Sequence, residues 1–391
     1  MTAPTPVPLL DLGPQWQALR EELLAAIESV CASQRFILGP EVAAFEADMA
    51  DYCGVAHGVG TSSGSDALLL ALMALEVGPG DAVLTTPYSF FATAGSVARL
   101  GARPVFCDID EETFNLCPTA VERFLAQHCV RTAGETRLRH SGERLRVLLP
   151  VHLFGRCADL DALMPLAHDW GLAVVEDAAQ AIGAQWPEGG RAGARGTIGC
   201  FSFFPTKNLG AFGDAGLCTT ADAALADRMR LLRVHGARPK YHHALLGANL
   251  RLDTLQAAIL RVKLRYLEDW TAARIRNASR YRHAFEARGL DRAIRLPPEV
   301  GAGRQVFNQY VIRSPGRDAL RAHLGACGIG TEIYYPEPLH LQPCFAALGH
   351  RPGDCPVAEA ACLHGLALPI HPDLEPAQID AVVAAIAAAP A

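Results

Sequence analysis

Several kinds of site are missing from this chain. It has no H-E-x-x-H and no Walker loop, and its adjacent His242 and His243 read as loop polarity rather than ligation, so no metal site is expected. Its twelve cysteines include no C-x-x-C pair. In a chain of 391 residues that pattern fits buried, reduced thiols in a cytoplasmic protein, not a disulfide framework. Long apolar runs are also missing, since the longest, 67–75, is too short to span a bilayer. The N-terminal MTAPTPVPLLDLGPQW lacks a basic stretch followed by an apolar one, so no signal peptide is expected. Basic charge falls short of acidic: 35 Lys and Arg against 41 Asp and Glu give a net charge of −6. Neither nucleic acid nor an anionic membrane surface is then an expected partner.

Half of the residues are hydrophobic and 19% are charged, as in a folded globular protein of two or three domains. Residues 1–12 are Pro-rich and read as extended, and helical spacing follows at 15–33 and 40–52. From residue 55 strands and helices alternate. Strands are expected at 55–61, 82–86, 103–109, 146–152, 172–177, 200–204 and 217–220. Helices are expected at 66–75, 90–100, 118–128, 159–170 and 222–234. That order implies a parallel sheet covered on both faces. The polar stretch 130–143 reads as an exposed insertion, and 235–249, rich in His, Gly and Arg, as a long loop. Leu252, Leu255, Ile259, Val262 and Tyr266 recur at spacings of three and four, one long amphipathic helix. A strand at 305–313 and helices at 317–327 and 376–388 complete a smaller α+β region. The expected division is a large domain at 1–249 and a small one at 250–391.

The chemistry centres on Lys207. It stands in FSFFPTKNLGAFGDAG, after an aromatic strand and before a loop carrying Gly210, Gly213 and Gly216. Lysine forms Schiff bases, and partial burial lowers its pKa so that it serves as nucleophile and base. Upstream, the strand 172–175 ends in Glu176 and Asp177, at the carboxyl edge where open α/β sheets place ligands. A lysine and a carboxylate so placed suit pyridoxal phosphate: the carboxylate holds the ring nitrogen protonated and the lysine carries the cofactor. Gly64 and Ser65 open an apolar helix whose N–H groups would cradle the phosphate. Ser202 could add a hydroxyl, Gln180 could reach the ring's phenolic oxygen, and Phe90 could stack on the ring. Each also has a plain structural reading. Lys207 alone is a surface lysine, Gly64–Ser65 an ordinary N-cap, Asp177 a capping or salt-bridging residue, Phe90 core, and Ser202 an alternating strand residue.

At these residues the sequence resembles the DegT/DnrJ/EryC1/StrS family of sugar aminotransferases. The resemblance is carried by TSSGSDALLLAL from Thr61, PYSFFATA from Pro87, GARPVFCDID from Gly101, PVHLFG from Pro150 and VVEDAAQAIGA from Val174. It continues through the lysine motif, ANLRLDTLQAAIL from Ala248 and YYPEPLHLQPCF from Tyr334, in order over nearly the whole chain. It implies an α/β protein of the aspartate-aminotransferase (type I) fold, with a mostly parallel central sheet and a smaller α+β domain. It implies a pyridoxal-phosphate aminotransferase acting on a nucleotide-linked keto sugar, with L-glutamate as the usual donor and a homodimer with shared active sites. By the same resemblance Lys207 binds the cofactor covalently, Asp177 contacts the ring nitrogen and Gln180 the phenolic oxygen. Phe90 stacks, and Gly64, Ser65 and Ser202 contact the phosphate. Asn249 matches a phosphate ligand lent by the other subunit, and Tyr335 and His340 match positions near the substrate. RLDTLQAA from Arg251 looks more like members that aminate C3 than those that act at C4.

Three rival readings remain at this point. Gly60-Thr61-Ser62-Ser63-Gly64 matches the G-x-S-x-G elbow of serine hydrolases, with Asp177 and His340 following in the required order. A non-catalytic regulator on the same fold is a second reading. The third is a related dehydratase, which carries His where this chain has Lys207.

Overall fold

The computed structural model describes residues 6–299 and 301–389. The extended reading of the first five residues lies outside that range. Two helices lead, α1 (Gly13–Ser33) and α2 (Pro40–Cys53). Proline in the first turn starts α2, and Gly54 in the left-handed region (φ 77°) stops it. Then follow β1 (His57–Thr61), α3 (Gly64–Ala74), β2 (Asp81–Thr85), α4 (Ala92–Arg99), β3 (Arg103–Phe106) and α5 (Pro118–His128). Next come β4 (Cys129–Thr132), β5 (Glu135–Leu138), β6 (Arg144–Leu149), α6 (Leu160–Asp169), β7 (Ala173–Asp177), β8 (Ile198–Ser202), β9 (Gly216–Thr220) and α7 (Ala223–Leu232). The last part holds α8 (Thr254–Leu264), α9 (Leu267–Ala287), β10 (Tyr310–Arg313), α10 (Arg317–Ala326), α11 (Pro356–His364), β11 (Gly365–Leu368) and α12 (Pro376–Ala387). Among the described residues no helix is long and apolar enough to cross a membrane.

The main sheet runs β1-β9-β8-β7-β6-β2-β3. It is mixed rather than wholly parallel. Strands β3, β2, β6, β7 and β8 are parallel, while β9 is antiparallel to both β8 and β1. The reason lies in the β8–β9 connection. A parallel return needs a crossover, usually a helix, and the loop 203–215 contains none, so the chain doubles back beside β8. That loop carries Lys207.

Side chains alternate across the sheet and fill a layer on each face. Val174 packs with Phe45, Leu148, Phe201 and Leu217, and Val175 with Leu68, Val147, Cys200 and Cys218. A further core gathers Tyr281, Phe285, Tyr310, Ile312, Leu366, Leu368 and Ile379 beneath the β10–β11 pair. Helix α8 does not belong to it: Ala257 and Leu260 pack in the first layer, with α8 lying against α1 and α2.

The stretch 130–143, expected as an exposed insertion, is mostly exposed and is ordered as a ribbon, β4 pairing antiparallel with β5, which in turn touches β6 at Arg137 and Arg144. Ala133 and Gly134, both at positive φ, make its tight turn, and Thr136 and Leu138 point inward between outward charges. The single long helix expected after residue 252 is two, α8 and α9, broken at Arg265–Tyr266.

Candidate active site

The carboxyl ends of β1, β2, β6, β7 and β8 lie along one edge of the sheet, and the chemistry collects there. Asp177 ends β7 on the side of Val175, beside Cys200 of β8. Burial raises its carboxyl above the usual range, while hydrogen bonds from Thr93 and the Ala179 N–H, and the charge of Lys207, pull it down. Burial also acts on Lys207: desolvation lowers its amine to about 8, against the opposing pull of Asp177. An amine so tuned is partly neutral near physiological pH, as a Schiff-base nucleophile requires.

The Lys207 loop is tightly wound. The Lys207 N–H donates to Phe204 O at 2.8 Å, and Ala211 N–H to Phe203 O at 2.8 Å. A Cβ on Gly210 would stand 2.2 Å from Pro205 O, so only glycine fits there. Helix α8 grips the loop from outside. The Gln256 amide accepts from the Phe212 N–H at 2.8 Å and donates to Phe212 O at 3.1 Å, and the buried Lys263 ammonium donates to Gly210 O.

Gln180, one turn beyond Asp177, accepts from the Phe154 N–H at 2.7 Å and donates to the Tyr335 hydroxyl at 2.9 Å. Burial raises the Tyr335 phenol, which stays protonated at neutral pH. Its ring lies 6.4 Å from that of Phe90, which is 58% exposed, and 6.1 Å from Tyr88, whose hydroxyl donates to Tyr334 O.

At the start of α3 the Ser63 hydroxyl caps the helix by accepting from the Asp66 N–H at 3.0 Å. The N–H groups of Gly64 and Ser65 precede any intrahelical acceptor. A Cβ on Gly64 would meet Ser202 Cβ at 2.5 Å and Ser202 Oγ at 2.9 Å. Glycine therefore brings the backbone N–H groups and the Ser202 hydroxyl into one cradle, which suits a phosphate. With a desolvated amine and a buried carboxylate along the same edge, the residues present fit pyridoxal phosphate.

Lys207, Asp177, Gln180, Tyr335 and Phe90 thus come together, with Gly64, Ser65 and Ser202 beside them. Asn249 stands apart, exposed, its backbone bridged to Val234. His340 is buried in another cluster, its ring 6.4 Å from Phe106 and its Nε2 3.2 Å from Glu359. Ser62, Asp177 and His340 do not assemble a hydrolase triad. The Ser62 hydroxyl donates to Asp66 at 2.6 Å, and Asp177 is bonded to Thr93 rather than to a histidine.

Residue reading missed the supports. The His152 Nδ1 accepts from the Ala158 N–H at 2.9 Å, so its proton sits on Nε2 and is donated to Glu176 at 2.8 Å. Burial pushes the Glu176 carboxyl up, and His152 with the Gly196 and Gly193 N–H groups holds it below the usual range. Glu176 thereby pins the turn 193–196 beneath β7. The sequence signal was present: His152 stands just past the end of β6, on the functional edge.

A model of the DegT/DnrJ/EryC1/StrS aminotransferase family matches residues 17–387. A pleiotropic regulatory protein of Geobacillus stearothermophilus is 48% identical over 381 residues, covering 97% of this chain and 98% of its own. A UDP-N-acetyl-3-dehydro-alpha-D-glucosamine 3-aminotransferase of Acidithiobacillus ferrooxidans is 43% identical over 386 residues, 99% of this chain and 98% of its own. The crystal structure of DesV from S. venezuelae, in complex with a ketimine intermediate, superposes with a TM-score of 0.90 at 43% identity, covering 97% of each chain. The fold is that of the pyridoxal-phosphate aminotransferases, and the chain belongs to the DegT/DnrJ/EryC1/StrS aminotransferase family.

Proposed function

We propose that this aminotransferase moves an amino group from L-glutamate to a keto carbon of a nucleotide-linked sugar, at C3 rather than C4. Pyridoxal phosphate supplies an aldehyde that takes the amino group and a ring that takes up the charge left when a proton departs. Lys207 would carry the cofactor, yield it to the donor and then act as the base. Its Nζ would take the proton from the donor's α-carbon and, in the second half-reaction, return one to the sugar carbon. Asp177 would accept a hydrogen bond from the ring nitrogen and keep it protonated. Phe90 would stack on the ring, Gln180 would contact the phenolic oxygen, and Gly64, Ser65 and Ser202 would hold the phosphate. The substrate side is assigned to Tyr335 and to the segment carrying His340. Asn249 serves the neighbouring subunit's site in a homodimer.

The observation that carries this reading is the desolvated amine of Lys207 facing the buried carboxylate of Asp177 at one sheet edge. Support for C3 comes from RLDTLQAA at Arg251 and from the Acidithiobacillus relative, named for a 3-dehydro sugar. The test is incubation with glutamate and a panel of UDP- and dTDP-linked 3-keto and 4-keto sugars, read by mass spectrometry. A 3-amino product with release of 2-oxoglutarate is expected. Amination of only the 4-keto sugars would move the position. Failure with every nucleotide sugar and every amino acid donor would overturn the reading.

A further inference from the structure

Asp177 is supported from a direction that its own strand does not provide. Its Oδ2 accepts from the Thr93 hydroxyl at 2.8 Å, and Thr93 Oγ1 lies 2.8 Å from Ser89 Oγ. Thr93, Ser89 and Asp177 are all buried. An ionised carboxylate only accepts, so the Thr93 proton is committed to Asp177. Ser89 must then donate to Thr93, and donation runs one way, from Ser89 through Thr93 to Asp177. The other oxygen, Oδ1, accepts from the Ala179 N–H at 3.2 Å. Each carboxylate oxygen so has one protein donor and retains a lone pair. Ser89 and Thr93 are four apart at the entry to α4, with Phe90 between them. One short segment thus carries the aromatic assigned to the ring face and the hydroxyls that hold the carboxylate.

We propose that Thr93, oriented by Ser89, is a positioning residue that keeps Asp177 ionised and turned toward the cofactor's ring nitrogen. This rests on the reading of Asp177 as the ring partner. Burial favours a neutral carboxylic acid, and a neutral Asp177 no longer holds the ring proton by charge. The groups facing Asp177 are Thr93 on α4, the Ala179 N–H beyond β7, the Cys200 thiol on β8, Lys207 in the β8–β9 loop, His152 after β6 and Tyr335 from the C-terminal part. Lys207 gives up charge as it titrates. The Thr93 hydroxyl donates at every working pH, so it is the constant support.

The test compares the holoenzymes of Thr93→Val, Thr93→Ser, Ser89→Ala and Asp177→Asn with the parent. Two quantities are followed against pH: the single-turnover rate with glutamate, and the affinity of each apoenzyme for pyridoxal phosphate. Thr93→Val removes a hydrogen bond to a charged group and should slow the half-reaction about tenfold or more. It removes a donor to the charged form, so Asp177 binds its proton more readily. The acid limb of both profiles should therefore move up, by about one pH unit. Thr93→Ser should restore the limb, and Ser89→Ala should move it the same way by less. In an Asp177→Asn background, Thr93→Val should add less than about a twofold effect, because both changes act through one route. A Thr93→Val enzyme with parental rate and acid limb, beside a crippled Asp177→Asn, would sink the proposal and leave the ring-partner reading standing. Near-parental turnover of Asp177→Asn would remove that reading and the proposal together. A loss of thermal stability with an unmoved limb, or no restoration by serine, would reduce Thr93 to a packing residue. If Thr93→Val does not fold, an unmoved limb in Ser89→Ala overturns the proposal alone.

Discussion

With its amine lowered to about 8 by burial, Lys207 changes charge within the working range of most enzymes. Capture of the cofactor needs the neutral amine, which predominates above that value. The rate at which the apoenzyme binds pyridoxal phosphate should thus rise with pH and level off above about 8. A stopped-flow profile falling over that range would contradict the assignment of Lys207. Borohydride reduction of the holoenzyme should fix the cofactor to Lys207, and a labelled peptide from elsewhere would do the same damage. Asp177→Asn should still take up the cofactor, with lower affinity, and slow both half-reactions by on the order of 10²-fold or more, since a neutral amide no longer holds the ring proton. That Lys207, Asp177 and Gln180 gather at one sheet edge was legible in the sequence, because Asp177 ends a strand and the other two follow strand ends in unusual local patterns. Thr93 and Ser89 were not. A Ser and a Thr four apart at a helix entry look like capping residues, and only the folded sheet brings Thr93 to a carboxylate 84 positions away.

Where α3 begins and β8 ends, two elements meet with no room for a side chain. Gly64→Ala would place a Cβ 2.5 Å from that of Ser202, so the cradle must open. Cofactor affinity should fall by on the order of tenfold or more, a cost of about 1.4 kcal/mol, measurable by equilibrium dialysis against pyridoxal phosphate. An unchanged affinity would mean that the phosphate sits elsewhere. Beneath the same loop, the buried Arg233 donates to Glu46 and to Gly60 O at 2.8 Å, and Glu46 also accepts from the Gly60 N–H at 2.8 Å. Glu46→Ala leaves the guanidinium buried without its counter-charge, and unfolding free energy should drop by about 3–5 kcal/mol in a denaturant titration. The strand–helix alternation was readable because apolar runs and breakers separate cleanly from residue 55 to 234. Helix α9 was not, since its buried stripe includes Thr271 and Arg274 among Ala273, Ala278 and Tyr281, which blurs the apolar period. The reversed course of β9 was hidden for another reason: a strand's own residues do not say which neighbour it will lie against.

At the scale of the whole molecule, the site is proposed to need two chains. Asn249 is exposed at the end of the loop 235–249, just before α8. Lys207→Ala and Asn249→Ala homodimers should each be weak, and exchanging their subunits should recover activity. In the mixed dimer one site then has both residues intact and the other lacks both. If Asn249 acts within its own chain, every mixed site keeps a lesion and nothing returns. Tagged heterodimers without recovery, given a clearly impaired Asn249→Ala parent, would rule the shared site out.

The pairing of β1 with β9 also bears on how the chain is born. Residues 57–61 leave the ribosome early, yet among the described residues their only sheet partner spans 216–220. At common elongation rates the wait is about 8–32 s for some 160 residues. Through that interval β1 and the apolar helix α3 behind it have no finished sheet to close upon. Such long-range closure slows folding and exposes apolar surface. A nascent chain stalled before residue 216 should be protease-sensitive throughout 57–74, and one stalled well beyond 220 should be protected there.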